Sequence, residues 1–203
     1  MGQAYGIQQI DVYRFEDLDD EAKEAAMDEY RQGNLDYEWW DSVYDDAKTI
    51  GKLMGIDIDR IYFSGFSSQG DGACFEGDYS YEKGSVKAVK DYAPKDKDLH
   101  GIAQALYEVQ KKAFYGLTAT IAHQGHHSHE LCTYINVYDG RYDFCYATMD
   151  QEEEIKDILR SFMQWIYSSL EASHDYLNSD EQIAESIEAN EHLFLEDGTF
   201  TYI

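Results

Sequence analysis

The chain has 203 residues, 43% of them hydrophobic and 15% aromatic, enough apolar surface for a core without disulfides and too much for a disordered chain. Lysine and arginine number 16 against 41 aspartates and glutamates, a formal net charge of -25. That balance argues against direct binding to nucleic acid or to anionic membranes, because each phosphate contact needs a cation.

Residues 1–11 have neither the basic start nor the apolar stretch of a signal peptide, and no segment has the apolar length of a membrane span, so a cytoplasmic protein is expected. The first helical pattern covers 18–32, with Leu18, Ala22, Ala25, Ala26 and Glu29 on one stripe, Asp17 or Asp19 as its cap and Gly33 past its end. A second covers 37–54, where Trp40, Val43, Tyr44, Ala47, Ile50, Gly51 and Met54 recur at helical spacing, with Asp36 as N-cap and Gly55 as stop. Trp39 and Trp40 lie about 100° apart on such a helix, so only one faces the stripe. An exposed Trp39 rimmed by acids would make an interface anchor.

The period then changes. Stretches 56–66 and 73–81 are rich in β-branched and aromatic residues, and Ser67-Ser68-Gln69-Gly70-Asp71-Gly72 between them predicts a hairpin. After Pro94 a third helix is predicted over 98–114, with Leu99, Ile102, Ala103, Leu106, Gln110 and Ala113 on its stripe and Gly116 as its end. In a second hairpin Leu117, Ala119, Ile121 and His123 alternate on one strand, Leu131, Thr133, Ile135 and Val137 on its mate, with 124–130 as the loop. The longest helix covers 151–176 on the stripe Ile155, Ile158, Leu159, Phe162, Met163, Ile166 and Leu170, capped by Asp150 with Glu153 at the capping-box position. Ser179 to Gln182 opens a last helix, and 192–203 alternates enough for one edge strand. With a single proline and no linker, one α+β domain over 1–203 is expected: an antiparallel sheet of two hairpins packed with amphipathic acidic helices.

The cysteines, Cys74, Cys132 and Cys145, lack metal-ligand spacing and read as reduced thiols of a cytosolic protein. His123, His126, His127 and His129 crowd the second hairpin and are the candidate metal set, but their spacing matches no standard site, so neither a metal nor another cofactor is expected. The first hairpin's turn is not a GxSxG elbow, since Ser67 is flanked by Phe66 and Ser68, and no helix follows to make a phosphate loop. Gln69 and Asp71 are expected to face solvent there as a recognition loop, with Gly70 and Gly72 supplying its backbone turn.

Acids gather on helix faces. Asp41, Asp45 and Asp46 oppose the stripe of the second helix, and Glu152, Glu153, Asp157 and Glu171 that of the long one. Carboxylates four apart on a helix stand roughly 6 Å from one another, comparable to neighbouring phosphates, so such rows can imitate a nucleic-acid backbone. The candidate partner-binding residues are therefore Trp39, Asp41, Asp45, Asp46, Gln69, Asp71, Glu153 and Asp157. The expected partner is a protein with a basic, nucleic-acid-binding surface, steered in by charge.

Asp36 to Asp41 (DYEWWD), Ile61 to Gly77 (IYFSGFSSQGDGACFEG), the hairpin around His126 to Thr133 and Phe162 to Tyr167 (FMQWIY) carry a further signal. With them the chain resembles, over nearly its full length, proteins of phages, prophages and mobile elements labelled "antitoxin of toxin–antitoxin stability system". The resemblance implies a protein that acts on a toxin or on host machinery. Joined to the charge, it leads to an expected function: an acidic inhibitor that blocks a nucleic-acid-binding toxin or a host defence protein of the CRISPR or restriction kind. The alternative is a small enzyme or metal protein working through the loops around Asp71 and His126.

Overall fold

A computed structural model describes residues 10–33, 35, 37–141 and 147–201. In chain order the elements are β1 (Tyr13–Arg14), α1 (Asp20–Gly33), α2 (Asp41–Met54), β2 (Ile56–Phe63), β3 (Ala73–Ser80), α3 (Ser85–Tyr92), α4 (Lys97–Lys112), β4 (Leu117–His123), β5 (Thr133–Asp139), α5 (Met149–Leu177), α6 (Asp180–Ala189), β6 (Leu193–Phe194) and β7 (Phe200–Thr201). The fold is α+β with two antiparallel sheets, and no helix of the described residues is long and apolar enough to cross a membrane. The chain divides into two compact units. One holds the described residues up to Trp39 and those from Ser173 on; the other spans Trp40–Ala172.

In the larger unit the strand order is β2-β3-β4-β5, each pair antiparallel. Both predicted hairpins are present. Ile56, Ile58, Ile61, Phe75, Tyr79, Leu117, Ala119, Ile121, Ile135 and Val137 are buried, while Asp57, Asp78, Thr120, Ala122 and Tyr134 are exposed, so the sheet has one covered and one wet face. Strict alternation would turn Ile61 outward. A bulge between Ile58 and Arg60 shifts the phase by one residue and sets Ile61 opposite Phe75. The same bulge and its charged neighbours blunt β2, an edge strand.

Helices cover the inner face. α5 supplies Phe162, whose ring meets Phe75 edge-on at 6.0 Å. α4 supplies Gln110, fully buried, which donates to Leu117 O at 2.7 Å and to Tyr79 Oη at 3.1 Å while accepting from Leu117 N–H at 3.1 Å. Asp96 caps α4 by accepting from Leu99 N–H at 2.9 Å, and its other oxygen accepts from the Trp165 indole at 2.8 Å.

Several helix ends differ from expectation. α2 begins at Asp41, not 37, because Trp39 N–H donates to Tyr37 O and turns the chain there. Asp36, expected as its cap, lies outside the described residues, and Gly55 ends α2 in a left-handed conformation as expected. α4 stops at Lys112, and Phe114 and Tyr115 then adopt positive φ of 53° and 62°, the geometry that Gly116 was expected to supply. The capping box of α5 is not Asp150 with Glu153. Thr148 and Gln151 make it: Gln151 N–H donates to Thr148 Oγ1 at 3.4 Å, and Thr148 N–H to Gln151 Oε1 at 3.2 Å. α3 had no sequence signal, since eight residues with Val89 as their main buried anchor show no period.

The smaller unit packs α1 and α6 around Phe15, Leu18, Ala22, Ala26, Ile183, Ile187 and Phe194. Asp19 caps α1 by accepting from Ala22 N–H at 2.9 Å, and Ser179 caps α6 by accepting from Gln182 N–H at 3.3 Å. The expected single edge strand of the tail is instead the pair β6 and β7, which join β1 in a sheet of their own.

Candidate functional site

Antiparallel order puts the β2–β3 loop (64–72) and the β4–β5 loop (124–132) at the same end of the large sheet. The two loops touch: a Cβ on Gly72 would come within 3.0 Å of His129 Cα. The middle of α5 ties both down. Gln164 donates to Glu130 Oε1 at 3.0 Å, and Tyr167 Oη donates to Gly65 O at 3.1 Å. Phe162 to Tyr167 and the two loops, distant in sequence, thus converge on one site.

Within the first loop Asp71 is the organiser. Its Oδ2 accepts from Ser67 N–H at 2.9 Å and from Ser68 N–H at 2.7 Å, closing the turn on itself. Asp71 is therefore half-buried and not the free solvent-facing group expected of it, whereas Gln69 is exposed as expected. The glycines serve different ends. Gly70 has φ of 96° and open space around it, so it is there for the backbone; Gly72 is buried and is there for the close approach of His129.

An aromatic row runs along this end. Trp40 meets Phe63 edge-on at 5.4 Å, Tyr44 meets Phe63 at 6.3 Å, Phe63 stacks on Phe66 at 6.0 Å, and Phe66 lies 5.5 Å from Tyr167. Carboxylates flank it. Burial, then the charge of Asp41 and the Cys74 thiol, push the Tyr44 hydroxyl up to about 12. Burial, then Glu171 and Asp71, raise that of Tyr167. Trp40, Phe63, Phe66 and Tyr167 share no local spacing that marks them as a group in the sequence. Their signal lay in the resemblance segments, where all four occur.

The remaining candidates are dispersed. Trp39 is buried, 8% exposed, with its ring 5.6 Å from His174, and is not the exposed side chain expected. Asp41 and Asp45 are exposed on α2, and Asp46 beside them accepts from Tyr92 Oη at 2.5 Å. Glu153 and Asp157 are exposed on α5 but stand about 21 and 15 Å along the helix from Tyr167, at ~1.5 Å per residue. They form no part of the loop cluster.

The histidines do separate jobs. His123 stacks on Tyr62 at 4.4 Å and its Nε2 lies 2.9 Å from His127 O. His129 Nδ1 accepts from Leu131 N–H at 3.2 Å and caps a short 3-10 turn (Glu130–Cys132). That turn leaves Leu131 65% exposed, not inward as its place in the alternation predicts. His126 and His127 are exposed at the tip. Among the described residues no three or more His, Cys, Asp or Glu are placed to hold a metal ion. Glu76 is committed to the scaffold, accepting from Tyr62 Oη at 2.8 Å and from His123 N–H at 3.3 Å. Cys74 is buried, which with Cys132, Glu76 and Glu130 nearby pushes its thiol up to about 12; Cys145 lies outside the described residues.

Residues 39–180 match the family model described as Domain of unknown function (DUF8835). The chain belongs to the DUF8835 family. The DUF8835 match takes in both loops, the aromatic row and all of α5, and it leaves out α1, the tail strands and nearly all of α6. Comparison with curated proteins and with solved structures gives no match.

Proposed function

We propose that this DUF8835 protein is an acidic inhibitor that occupies the basic, nucleic-acid-binding surface of another protein, a toxin or a host defence component. The observation that carries the reading is the row Trp40–Phe63–Phe66–Tyr167, supplied by the turn before α2, the end of β2, the β2–β3 loop and α5 and flanked by Asp41, Asp71 and Glu171. Tryptophan and tyrosine on a rigid frame are the residues that anchor interfaces, since they bury large area at small entropic cost. Acids around such an anchor select a basic partner and speed its approach, and a net charge of -25 extends that pull beyond the contact itself. The resemblance to mobile-element proteins supports a target in the host or in a toxin system.

Competition tests the inhibitory part. A partner captured from host lysate and identified by mass spectrometry is titrated with duplex DNA or RNA in the presence and absence of the protein. The expected outcome is mutual exclusion, each ligand raising the other's apparent dissociation constant. A ternary complex that forms with both affinities unchanged contradicts the proposal.

A further inference from the structure

The smaller unit contains a cavity of about 470 Å³ bounded by Ala26, Glu29, Tyr30, His192, Phe194 and Phe200. Small-molecule sites span roughly 300–1,000 Å³. Its rings do not lie flat on one another. His192 lies 5.8 Å from Tyr30 at 53° and 4.7 Å from Phe200 at 85°, and Phe194 lies 5.8 Å from Phe200 at 72°. Phe194 is buried in the core, so the half-buried rings of Tyr30, His192 and Phe200 are the ones that line the space. Glu29 Oε2 accepts from Phe200 N–H at 2.9 Å, which fixes a carboxylate at the edge of that space. No lysine or arginine lines the cavity among the described residues, and burial holds the His192 imidazole below its usual pKa, so Glu29 is the acidic group of the described lining and no lysine or arginine opposes it.

We propose that this cavity is a binding site for a small organic cation bearing a quaternary ammonium group. Aromatic walls attract a cation through the negative faces of their π-systems, and the attraction grows when the cation is desolvated. A quaternary ammonium suits such walls because its methyl groups are apolar and it has no N–H donor that must find a partner. One carboxylate beside the rings then balances its charge, and the same carboxylate turns away anions.

The probe is choline, titrated into the full chain by calorimetry and by NMR of the aromatic side chains, beside its neutral isostere in which a tert-butyl group replaces the trimethylammonium. Choline is expected to bind and to shift the Tyr30 and Phe200 ring resonances. The isostere is expected to bind about tenfold more weakly, the factor that a cation–π contact of this kind contributes. Glu29→Gln keeps an acceptor for Phe200 N–H and removes the charge, and it should weaken choline several-fold while leaving the melting temperature unchanged. Tyr30→Leu removes a wall and should abolish the ring shifts at Phe200. Failure of choline to bind into the millimolar range overturns the proposal. Equal affinity for choline and isostere also overturns it, since the cavity would then be apolar space with no preference for a cation.

Discussion

Gln110 and Asp71 both satisfy backbone groups, and their surroundings set what each is worth. Gln110 is fully buried and serves both the N–H and the C=O of Leu117, at the start of β4. Gln110→Ala leaves both unpaired away from water, at about 1–3 kcal/mol for each. Asp71 holds Ser67 and Ser68 in a loop that water reaches, so its loss resembles the loss of a helix cap, about 0.5–2 kcal/mol. Urea unfolding of the two variants should rank Gln110→Ala well below Asp71→Ala in stability. The reverse order would mean that the loop, not the buried glutamine, secures this part of the sheet. Neither role was legible in the sequence: a glutamine on an apolar stripe and an aspartate in a turn look the same whether or not they are satisfied.

At the level of elements, α5 joins the fold to the site. Its buried stripe was readable residue for residue, because Ile155, Ile158, Leu159, Phe162, Met163, Ile166 and Leu170 repeat over about four turns of unbroken helical spacing, at ~3.6 residues per turn. Its polar flank was not. Gln164 and Tyr167 reach loops more than thirty and a hundred residues earlier, and no local pattern encodes such a pairing. The hairpins were readable because glycine and aspartate between β-branched runs mark turns. α3 and the paired strands of the tail were not, being too short to display a period. Phe162 touches both Phe75 and Trp165, at 6.0 and 5.7 Å, so Phe162→Ala should cost about 3–5 kcal/mol and lower the melting temperature accordingly. A variant as stable as the parent would show that α5 does not hold the inner face of the sheet.

For the whole molecule, the proposed function has charge and anchor make separate contributions that salt can resolve. The -25 excess acts on encounter, and screening shortens its reach to about 8 Å near physiological ionic strength. In the proposed function the aromatic row acts on residence, because an anchor once seated is lost slowly. Asp41 and Asp45 are exposed near one end of that row, and Glu153 and Asp157 stand further off, so reversing the first pair to lysine should slow association more than reversing the second. These acids lie on helices as expected, whereas Trp39, expected to be exposed, is buried, since its burial before α2 is decided by packing and not by helical phase. The most direct measurement takes the captured partner and follows its association and dissociation with the parent protein and with Phe66→Ala/Tyr167→Ala over a series of salt concentrations. The parent's association rate should fall steeply with salt, and the double variant, folded by its melting curve, should associate at a similar rate and dissociate at least about tenfold faster, the effect of losing roughly 1.4 kcal/mol of anchoring. Binding by the double variant that matches the parent in both rates would contradict the placement of the interface at this end of the sheet.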